Sequence, residues 1–350
     1  MKTYSNASRA VGVGQPVYII AELSANHNGS LDSALDIIRL AAESGADAIK
    51  LQTYTADTLT IDCDKEPFIL RGGTIWDGRK LYDLYSEAST PWEWHQALFD
   101  EAKKYGLDCF STPFDDSAVE FLEQFDPPFH KVASFELTHH PLLRTIAQTG
   151  RRVIMSTGMA SLEEIEEALA VLRENGSGEV ILLKCTSSYP APPEEANLAR
   201  MSDMAERFGV TVGLSDHTMD LAVPVAAVAL GATVIEKHFC RSRSESGPDS
   251  SFSLEPTEFC EMVDAVRIAE KAIGKAVYTR TVAEEKSVAS RTSIFVVEPI
   301  AAGEELTREN IRIIRPGYGL APKFLEDVLG RTAKQDIERG TPLGLELLTS

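Results

Sequence analysis

The stretch TVGLSDHTMDLAVPVAAVALGATVIEKHF (211–239) contains two short, β-rich apolar runs on either side of an apolar segment of helical length. The first run, TVGLSD, and the last, TVIEKHF, predict buried strands, because both are short and rich in residues that favour strands. The segment LAVPVAAVAL (221–230) predicts a helix preceded by Asp220, a candidate cap, and Gly231 lies where this helix must turn into the next strand. The stretch therefore predicts one strand–helix–strand unit.

The same alternation repeats from residue 17 to about residue 273. The strand-like runs are 17–24, 48–53, 107–113, 130–134, 152–157, 180–186, 211–216 and 233–239. The helix-like stretches are 31–44, 92–105, 117–124, 140–149, 161–174, 196–208, 221–230 and 256–273. Eight strand–helix units in about 260 residues predict an α/β fold of the (β/α)8 TIM-barrel type. The alternative, a doubly wound open sheet, normally has fewer strands and a Gly-rich first turn, and neither is seen.

A long insertion, residues 54–90, follows the second strand and is rich in Gly, Asp, Tyr and Trp. Long loops that follow barrel strands usually shape substrate entry, so we expect this insertion to border an active site. A surface excursion without a role is the alternative.

The pattern changes after the eighth predicted helix. A polar hinge precedes short segments that have glycine turns at Gly303 and Gly340 and no long helix. We therefore expect a barrel over residues 1–276, a linker over 277–290 and a small β-rich domain over 291–350. A domain of about 60 residues is marginal alone and gains stability by docking on a larger one.

Composition disfavours several classes of protein. The formal net charge of -19 would repel nucleic acids and anionic membranes, although a locally basic pocket can still hold a small anion. Five scattered cysteines with no CxxC pair indicate a reduced, intracellular protein. No stretch approaches the ~18 apolar residues of a membrane span, and the N-terminus lacks the pattern of a secretory signal. We therefore expect a cytoplasmic protein.

Polar residues end all eight predicted strands, which is where a barrel places its active site. Charged side chains in buried strands are costly unless they are paired or used. One group combines ammonium and hydroxyl side chains, which together suit a ligand that carries a phosphate and a carboxylate. Its members are Lys50, Thr112, Lys131, Ser134, Ser156 and Ser215. Taken singly, each serine or threonine is as compatible with an ordinary hydrogen bond at a strand end.

Two histidines, His217 and His238, end adjacent predicted strands. Neighbouring strands lie about 5 Å apart, so two imidazoles at the same level can share one metal ion. Imidazole favours Mn²⁺, Fe²⁺, Co²⁺ or Zn²⁺ over Mg²⁺, and two protein ligands leave positions open for water or substrate. Satisfied polar histidines and a general base are the competing interpretations.

These residues lie in eight ordered phrases that resemble the sialic acid synthase family. The phrases are IAELSANHNGSLDSAL, GADAIKLQTY, FSTPFD, KVASFEL, MSTGMAS, LLKCTSSYPAP, GLSDHT and IEKHF. The C-terminal part, SIFVVEPIAAGEELTRENIRIIRPGYG, resembles the antifreeze-like (SAF) domain of that family. The resemblance extends from about residue 17 to 345 and rests on several motifs rather than one.

Within the family, the phrase ELSANHNGS and the insertion GGTIWDGRKLYDLYSEASTPWEWH are more similar to pseudaminic acid synthases than to N-acetylneuraminate synthases. The phrase CTSSYP places Ser187 where neuraminate synthases typically have an asparagine that contacts ligand. The resemblance therefore implies condensation of phosphoenolpyruvate with 2,4-diacetamido-2,4,6-trideoxy-altrose and water, giving pseudaminic acid and phosphate. The product would enter surface glycans such as those of flagellin. The same reaction on N-acetylmannosamine or on the legionaminic acid precursor is the nearest alternative.

The resemblance also implies roles for individual residues. His217 and His238 would bind a divalent ion, Mn²⁺ first and Co²⁺ or Mg²⁺ as alternatives, and the ammonium and hydroxyl group would hold phosphoenolpyruvate. The residues expected to face the sugar or the water are Glu22, Gln52, Glu136, Ser187, Tyr189 and Asp249. Either Glu22 or Glu136 would act on the water. Arg315 matches an SAF-domain arginine that reaches into the partner subunit's site, which implies a domain-swapped homodimer.

Two other functions fit the residues less well. A pyruvate aldolase on the same barrel would need a Schiff-base lysine and would release no phosphate. A non-enzymatic binder that uses the SAF-like part would have no reason to keep two metal-ligand positions.

Overall fold

The computed structural model describes residues 10–245 and 247–349. The chain forms two compact units, Met1–Gly274 and Lys275–Ser350. No helix in the described part of the chain is long and apolar enough to cross a membrane. All five cysteines are free thiols.

The first unit is a closed barrel of eight parallel strands that follow one another in chain order. The strands are β1 (Tyr18–Glu22), β2 (Ala48–Thr53), β3 (Asp108–Pro113), β4 (Phe129–Val132), β5 (Arg152–Ser156), β6 (Val180–Cys185), β7 (Thr211–Asp216) and β8 (Val234–His238). Pairing of β1 with both β2 and β8 closes the barrel. This confirms the predicted TIM barrel and excludes the open sheet.

Helices alternate with the strands and cover the outside of the barrel. The helices of this unit are α1 (Leu31–Glu43), α2 (Ala56–Leu59), α3 (Leu81–Ala88), α4 (His95–Lys104), α5 (Asp116–Leu122), α6 (His140–Gln148), α7 (Leu162–Glu174), α8 (Ala199–Phe208), α9 (Ala222–Ala229) and α10 (Pro256–Ile273). The insertion contributes α2, α3 and an antiparallel bridge between Ile69 and Lys80. A capping box of Ser161 and Glu164 opens α7 as its sequence predicts, whereas Asp220 does not cap α9, whose N-cap is Leu221.

Strand alternation explains why polar side chains meet inside the barrel. Ile19 and Ala21 pack outward against the helices, whereas Tyr18 and Ile20 belong to a separate apolar cluster that fills the barrel interior. Because side chains alternate along a strand, the next inward position on β1 is Glu22. On β2, β3, β4, β5 and β8, the residue two positions after an interior apolar residue is likewise polar. The barrel thus has an apolar lower layer and a polar upper layer at the carboxyl ends of its strands.

The second unit has its own small apolar core, formed by residues such as Ile294, Val296, Ile311 and Leu343. Its elements are α11 (Val282–Ser287), β9 (Ser293–Val296), β10 (Ile311–Ile314) and α12 (Leu325–Val328), and β9 pairs with β10 antiparallel. Helix α11 lies in the segment expected to be a linker. The division into three parts at residues 276 and 290 stays a prediction.

Candidate active site

A buried carboxylate, that of Glu236 on β8, lies between two lysines from β2 and β4. The Nζ atom of Lys50 is 3.8 Å from Glu236 Oε1, and the Nζ atom of Lys131 is 3.9 Å from Glu236 Oε2. Ser215 Oγ also donates a hydrogen bond to Glu236 Oε1 at 3.3 Å. All four side chains are buried, so water screens these charges little. Glu236 is one of the polar residues at the end of the eighth predicted strand, but the sequence motifs give it no role, although its inward position two residues before His238 was available as a signal.

Glu22 is fixed by two partners at the end of β1. Lys50 Nζ forms an ion pair with Glu22 Oε2 and donates to Thr112 Oγ1 at 3.3 Å, and Gln52 Nε2 donates to Glu22 Oε1 at 3.0 Å. Burial raises the pKa of Glu22 to about 7, although the Lys50 ammonium opposes this shift. Burial favours the neutral amine of Lys50, but the carboxylates of Glu22 and Glu236 outweigh it and raise the pKa of Lys50.

Lys131 contacts a hydroxyl group at the end of β5. Its Nζ atom donates to Ser156 Oγ at 2.7 Å and to the Val132 carbonyl oxygen at 3.0 Å. Burial lowers the pKa of Lys131, although the Glu236 carboxylate opposes this shift. The hydroxyl of Ser156 is therefore held against an ammonium group at the end of β5.

Three loops meet over Gly158, which directly follows β5 and Thr157. Its backbone N–H donates to Ser134 Oγ at 3.0 Å. A methyl group at Gly158 would lie 2.7 Å from Ser134 Oγ and would overlap the Ser187 hydroxyl. The hydroxyls of Ser134 and Ser187 thus face one small space that only a glycine leaves open. Because the Gly158 N–H donates to Ser134 Oγ, the two serine O–H groups remain as donors suited to the oxygens of a phosphate or carboxylate.

The two histidines lie side by side, with ring centroids 5.3 Å apart. His217 Nδ1 is 2.8 Å from the Thr186 carbonyl oxygen, which can only accept, so Nδ1 carries a proton. Burial disfavours the charged ring of His217, but the Cys185 side chain and the Thr186 carbonyl outweigh burial and raise its pKa. His238 Nδ1 is buried and has no hydrogen-bond partner in the described part of the chain. Burial and the neighbouring cations lower the pKa of His238 well below its usual value, which keeps this ring neutral.

Two neighbouring imidazole rings fit a divalent transition-metal ion, which an imidazole binds through an unprotonated ring nitrogen. Within residues 10–245 and 247–349, no cluster of three or more His, Cys, Asp and Glu side chains is arranged to hold a metal. If His217 and His238 hold a metal ion, its remaining positions would be left to water or substrate.

Polar side chains from the first two strands and the loop after β8 form a chain of hydrogen bonds. Asp249 Oδ2 accepts from Ser24 Oγ at 2.5 Å, and Ser24 Oγ accepts from Gln52 Nε2 at 2.9 Å. Burial raises the pKa of Asp249. The chain continues through Gln52 to Glu22. Ser24, which the motifs do not single out, is the link that joins Asp249 to the strand residues.

Glu136 lies at the end of a 3-10 turn, Ser134–Glu136, that follows β4. Its Oε2 atom is buried and has no hydrogen-bond partner within the described residues. Burial raises the pKa of Glu136 to about 7, with Lys131 opposing the shift. Glu136 is therefore a carboxylate able to exchange a proton near neutral pH.

Aromatic rings cover the histidines. The ring centroids of Tyr189 and His217 are 4.3 Å apart, and those of Phe252 and His238 are 5.0 Å apart. Tyr189 also contacts Trp76 at 5.7 Å between centroids. The insertion therefore borders the site, as expected from its position after β2.

A model of the NeuB family matches residues 37–278, and a model of the SAF domain matches residues 291–349. The chain belongs to the NeuB family. It is 48% identical to a pseudaminic acid synthase of Campylobacter jejuni over 93% of this chain and 95% of that protein. It is 38% identical to an N,N'-diacetyllegionaminic acid synthase of Campylobacter jejuni over 91% of this chain and 96% of that protein. The solved structure of spore coat polysaccharide biosynthesis protein spsE from Bacillus subtilis matches with a TM-score of 0.66 at 34% identity, over 99% of each chain.

These findings confirm the resemblance to the sialic acid synthases and to their SAF domain. Some polar strand ends of this NeuB chain nevertheless lie outside the site. Lys237 Nζ forms a buried ion pair with Asp216 at 2.6 Å, on the side of the strands that faces away from Glu236 and His238. Asp216 also accepts from Thr218 N at 3.0 Å. This pair joins β7 to β8 and needs no ligand to satisfy it.

Arg315 is exposed and belongs to the second unit, in the loop that follows β10. No ion pair of Arg315 is seen with the residues that the structure describes. Its contribution to a partner's site in this NeuB chain stays a prediction.

Proposed function

We propose that the chain condenses phosphoenolpyruvate with 2,4-diacetamido-2,4,6-trideoxy-altrose and water, forming pseudaminic acid and phosphate. The observation that carries the proposal is the presence, at one end of the barrel, of two buried lysines with several hydroxyls and of two adjacent imidazole rings. The greater identity to a pseudaminic acid synthase (48%) than to a legionaminic acid synthase (38%) supports the choice of sugar.

The lysines and hydroxyls would hold phosphoenolpyruvate. The Lys131 ammonium with Ser156, and the hydroxyls of Ser134 and Ser187 beside Gly158, would supply donors to the phosphate oxygens. Lys50 and Thr112 lie on the other side of Glu236 and suit the carboxylate. Glu236 would balance the lysine charges when no anion is bound, because buried ammonium groups without a partner are costly.

His217 and His238 would hold a divalent ion, for which Mn²⁺ is the first candidate and Co²⁺ or Mg²⁺ are alternatives. Such an ion supplies a Lewis acid that polarises the aldehyde oxygen of the open-chain sugar. Gln52, Tyr189 and Asp249 would contact the sugar, since Tyr189 lies against His217 and Ser24 joins Gln52 to Asp249.

The reaction then needs one carbon–carbon bond and one carbon–oxygen cleavage. Carbon 3 of phosphoenolpyruvate attacks the aldehyde carbon, and positive charge develops at carbon 2 beside the bound carboxylate and phosphate. Water adds at carbon 2 and loses a proton to a carboxylate, and the former aldehyde oxygen takes up a proton to become a hydroxyl. The tetrahedral intermediate collapses to the 2-keto acid and expels phosphate with the former bridging oxygen.

Glu136 is the better candidate for the base that accepts the proton of water. Glu22 is bound by Lys50 and Gln52, whereas Glu136 Oε2 has no partner in the part of the chain that the structure describes. A pKa of about 7 leaves a large share of Glu136 ionised at neutral pH, where a base works efficiently. Glu22 would instead position the Lys50 ammonium.

We further propose a domain-swapped homodimer in which Arg315 reaches the partner subunit's site. Support comes from the SAF domain match and from the exposure of Arg315 on its own unit. We also propose that the enzyme acts in the cytoplasm and that its product enters surface glycans such as those of flagellin.

The experiment that tests the function is phosphate release from phosphoenolpyruvate with Mn²⁺, with each candidate sugar offered separately. The proposal expects release with the altrose sugar, little with N-acetylmannosamine or the legionaminic acid precursor, and none after EDTA treatment. His238→Ala should lose most turnover, while His139→Ala, on the exposed N-terminus of α6, should keep it. Release only with another sugar would refute the substrate, and near-normal turnover of His238→Ala would refute the metal site.

A further inference from the structure

One turn of the insertion is built to present a single large side chain. The Asp77 carboxylate accepts hydrogen bonds from the N–H groups of Gly72, Gly73 and Thr74 and from the Thr74 hydroxyl, at 2.8 to 3.3 Å. An antiparallel bridge pairs the two ends of the turn. Residues 71–75 and 77–78 are exposed, and Trp76 alone in this run is partly buried. The hydrogen-bonded turn therefore holds one indole ring, that of Trp76, in place.

Trp76 crosses the mouth of the barrel and contacts loops far away in sequence. Its Nε1 atom donates to the Pro248 carbonyl oxygen at 3.0 Å. Its ring centroid is 5.7 Å from that of Tyr189, after β6, and 6.1 Å from that of Phe252, after β8. Both neighbours in turn contact the histidines of the site. The indole thus lies one ring away from His217 and His238, next to Asp249.

The indole offers one kind of surface to a ligand. Its single N–H donor is already used by Pro248, so only its apolar faces remain for contact. Carbon-bound hydrogens and methyl groups pack well on such a face, whereas a hydroxyl placed there would lose its hydrogen bonds to water. Asp249 directly follows Pro248, and the hydrogen-bonded chain that leads from it through Ser24 to Gln52 offers polar partners to a ligand. A sugar that fits both surfaces has polar groups along one side and methyl groups on the other.

We infer that Trp76 is a specificity-determining residue that packs against the methyl-bearing part of the sugar, its terminal deoxy carbon and an acetamido methyl. This inference rests on the proposed function and names what its substrate pocket selects. A terminal hydroxymethyl group in place of the methyl would be disfavoured because the indole cannot satisfy its hydroxyl. Apolar pockets discriminate one added group by about 10- to 200-fold, which sets the expected effect.

The test compares kcat/KM for the altrose sugar, with KM for phosphoenolpyruvate measured in parallel. We expect Trp76→Ala to lower kcat/KM for the sugar about 10- to 100-fold, through a higher KM, with the KM for phosphoenolpyruvate nearly unchanged. Trp76→Phe should retain most of the activity, because it keeps an apolar ring. Ile75→Ala is the matched control on the same turn, since Ile75 is exposed and should not affect either substrate. Unchanged kcat/KM for the sugar in Trp76→Ala, or an equal loss for both substrates, would overturn the inference.

A second measurement does not depend on the stability of Trp76→Ala. The chain has three tryptophans, so a Trp92→Phe and Trp94→Phe double variant emits from Trp76 alone. Saturation with the altrose sugar should change its emission, and an unchanged spectrum would overturn the inference. Failure of the proposed function would be seen separately, as absence of turnover of the altrose sugar by the wild type, whereas failure of the inference leaves that turnover intact.

Discussion

Replacing Glu236 by glutamine keeps the shape of the side chain but removes the negative charge between two buried lysines. The Nζ atoms of Lys50 and Lys131 lie 3.8 and 3.9 Å from its carboxylate. At an effective dielectric constant of about 20, each pair attracts by about 4 kcal/mol, and desolvation of the carboxylate offsets part of this sum. Breaking buried pairs in other proteins costs about 3–5 kcal/mol, which is the loss expected for Glu236→Gln.

The assay is thermal unfolding with and without phosphoenolpyruvate. In a domain of this size, each kcal/mol corresponds to about 2–4 °C, so the Tm of Glu236→Gln should fall by about 6–20 °C. Phosphoenolpyruvate brings its own negative charges to the lysines, so it should raise the Tm of the variant more than that of the wild type. Glu120→Gln is the control, because Glu120 is exposed on α5. A Tm of Glu236→Gln within about 2 °C of the wild type would refute the charge balance argued for the site.

Three further outcomes follow from the same geometry. Gly158→Ala should raise the KM for phosphoenolpyruvate about 100-fold and leave the KM for the sugar unchanged, because the added methyl group displaces the hydroxyls of Ser134 and Ser187. An unchanged KM for phosphoenolpyruvate would contradict the anion site proposed beside Gly158. Activity should fall as the pH drops through about 7, because Glu136 must be ionised to act as the base. Glu136→Gln should lower kcat about 10²- to 10⁴-fold. Full activity of the wild type at pH 5 would contradict this role of Glu136. Mixing the inactive variants Lys131→Ala and Arg315→Ala should restore about a quarter of wild-type activity if subunits exchange freely and Arg315 acts on the partner's site. No recovery in a mixture shown to contain heterodimers would contradict the swap.

The order of the barrel and much of its polar layer follow from the sequence because strand periodicity is a local property. All eight predicted strands form, and Lys50, Thr112, Lys131, Ser156, His217 and His238 end up at the same end of the barrel. Alternation also determines which strand residues point inward, but the sequence motifs give no role to Glu236, which points inward. The same alternation turns Lys237 outward, where it pairs with Asp216.

Other features depend on distances between loops that no local pattern encodes. Gly158 matters because the loops that carry Ser134 and Ser187 meet above it. The contact of Trp76 with Pro248 joins residues 172 positions apart. Neither the spacing nor the composition of the insertion indicates where its turn docks. The sequence therefore predicts the ammonium groups and the imidazoles of the site. Only the fold shows that two hydroxyls meet at Gly158 and that aromatic rings contact the histidines.

The most direct test of the central claim uses phosphoenolpyruvate labelled with ¹⁸O at the bridging oxygen, together with the altrose sugar and Mn²⁺. We expect that pseudaminic acid forms and that the label leaves entirely in the released phosphate, because the carbon–oxygen bond breaks. Label retained in the sugar product would contradict this mechanism, and absence of a nine-carbon product from the altrose sugar would contradict the proposed function.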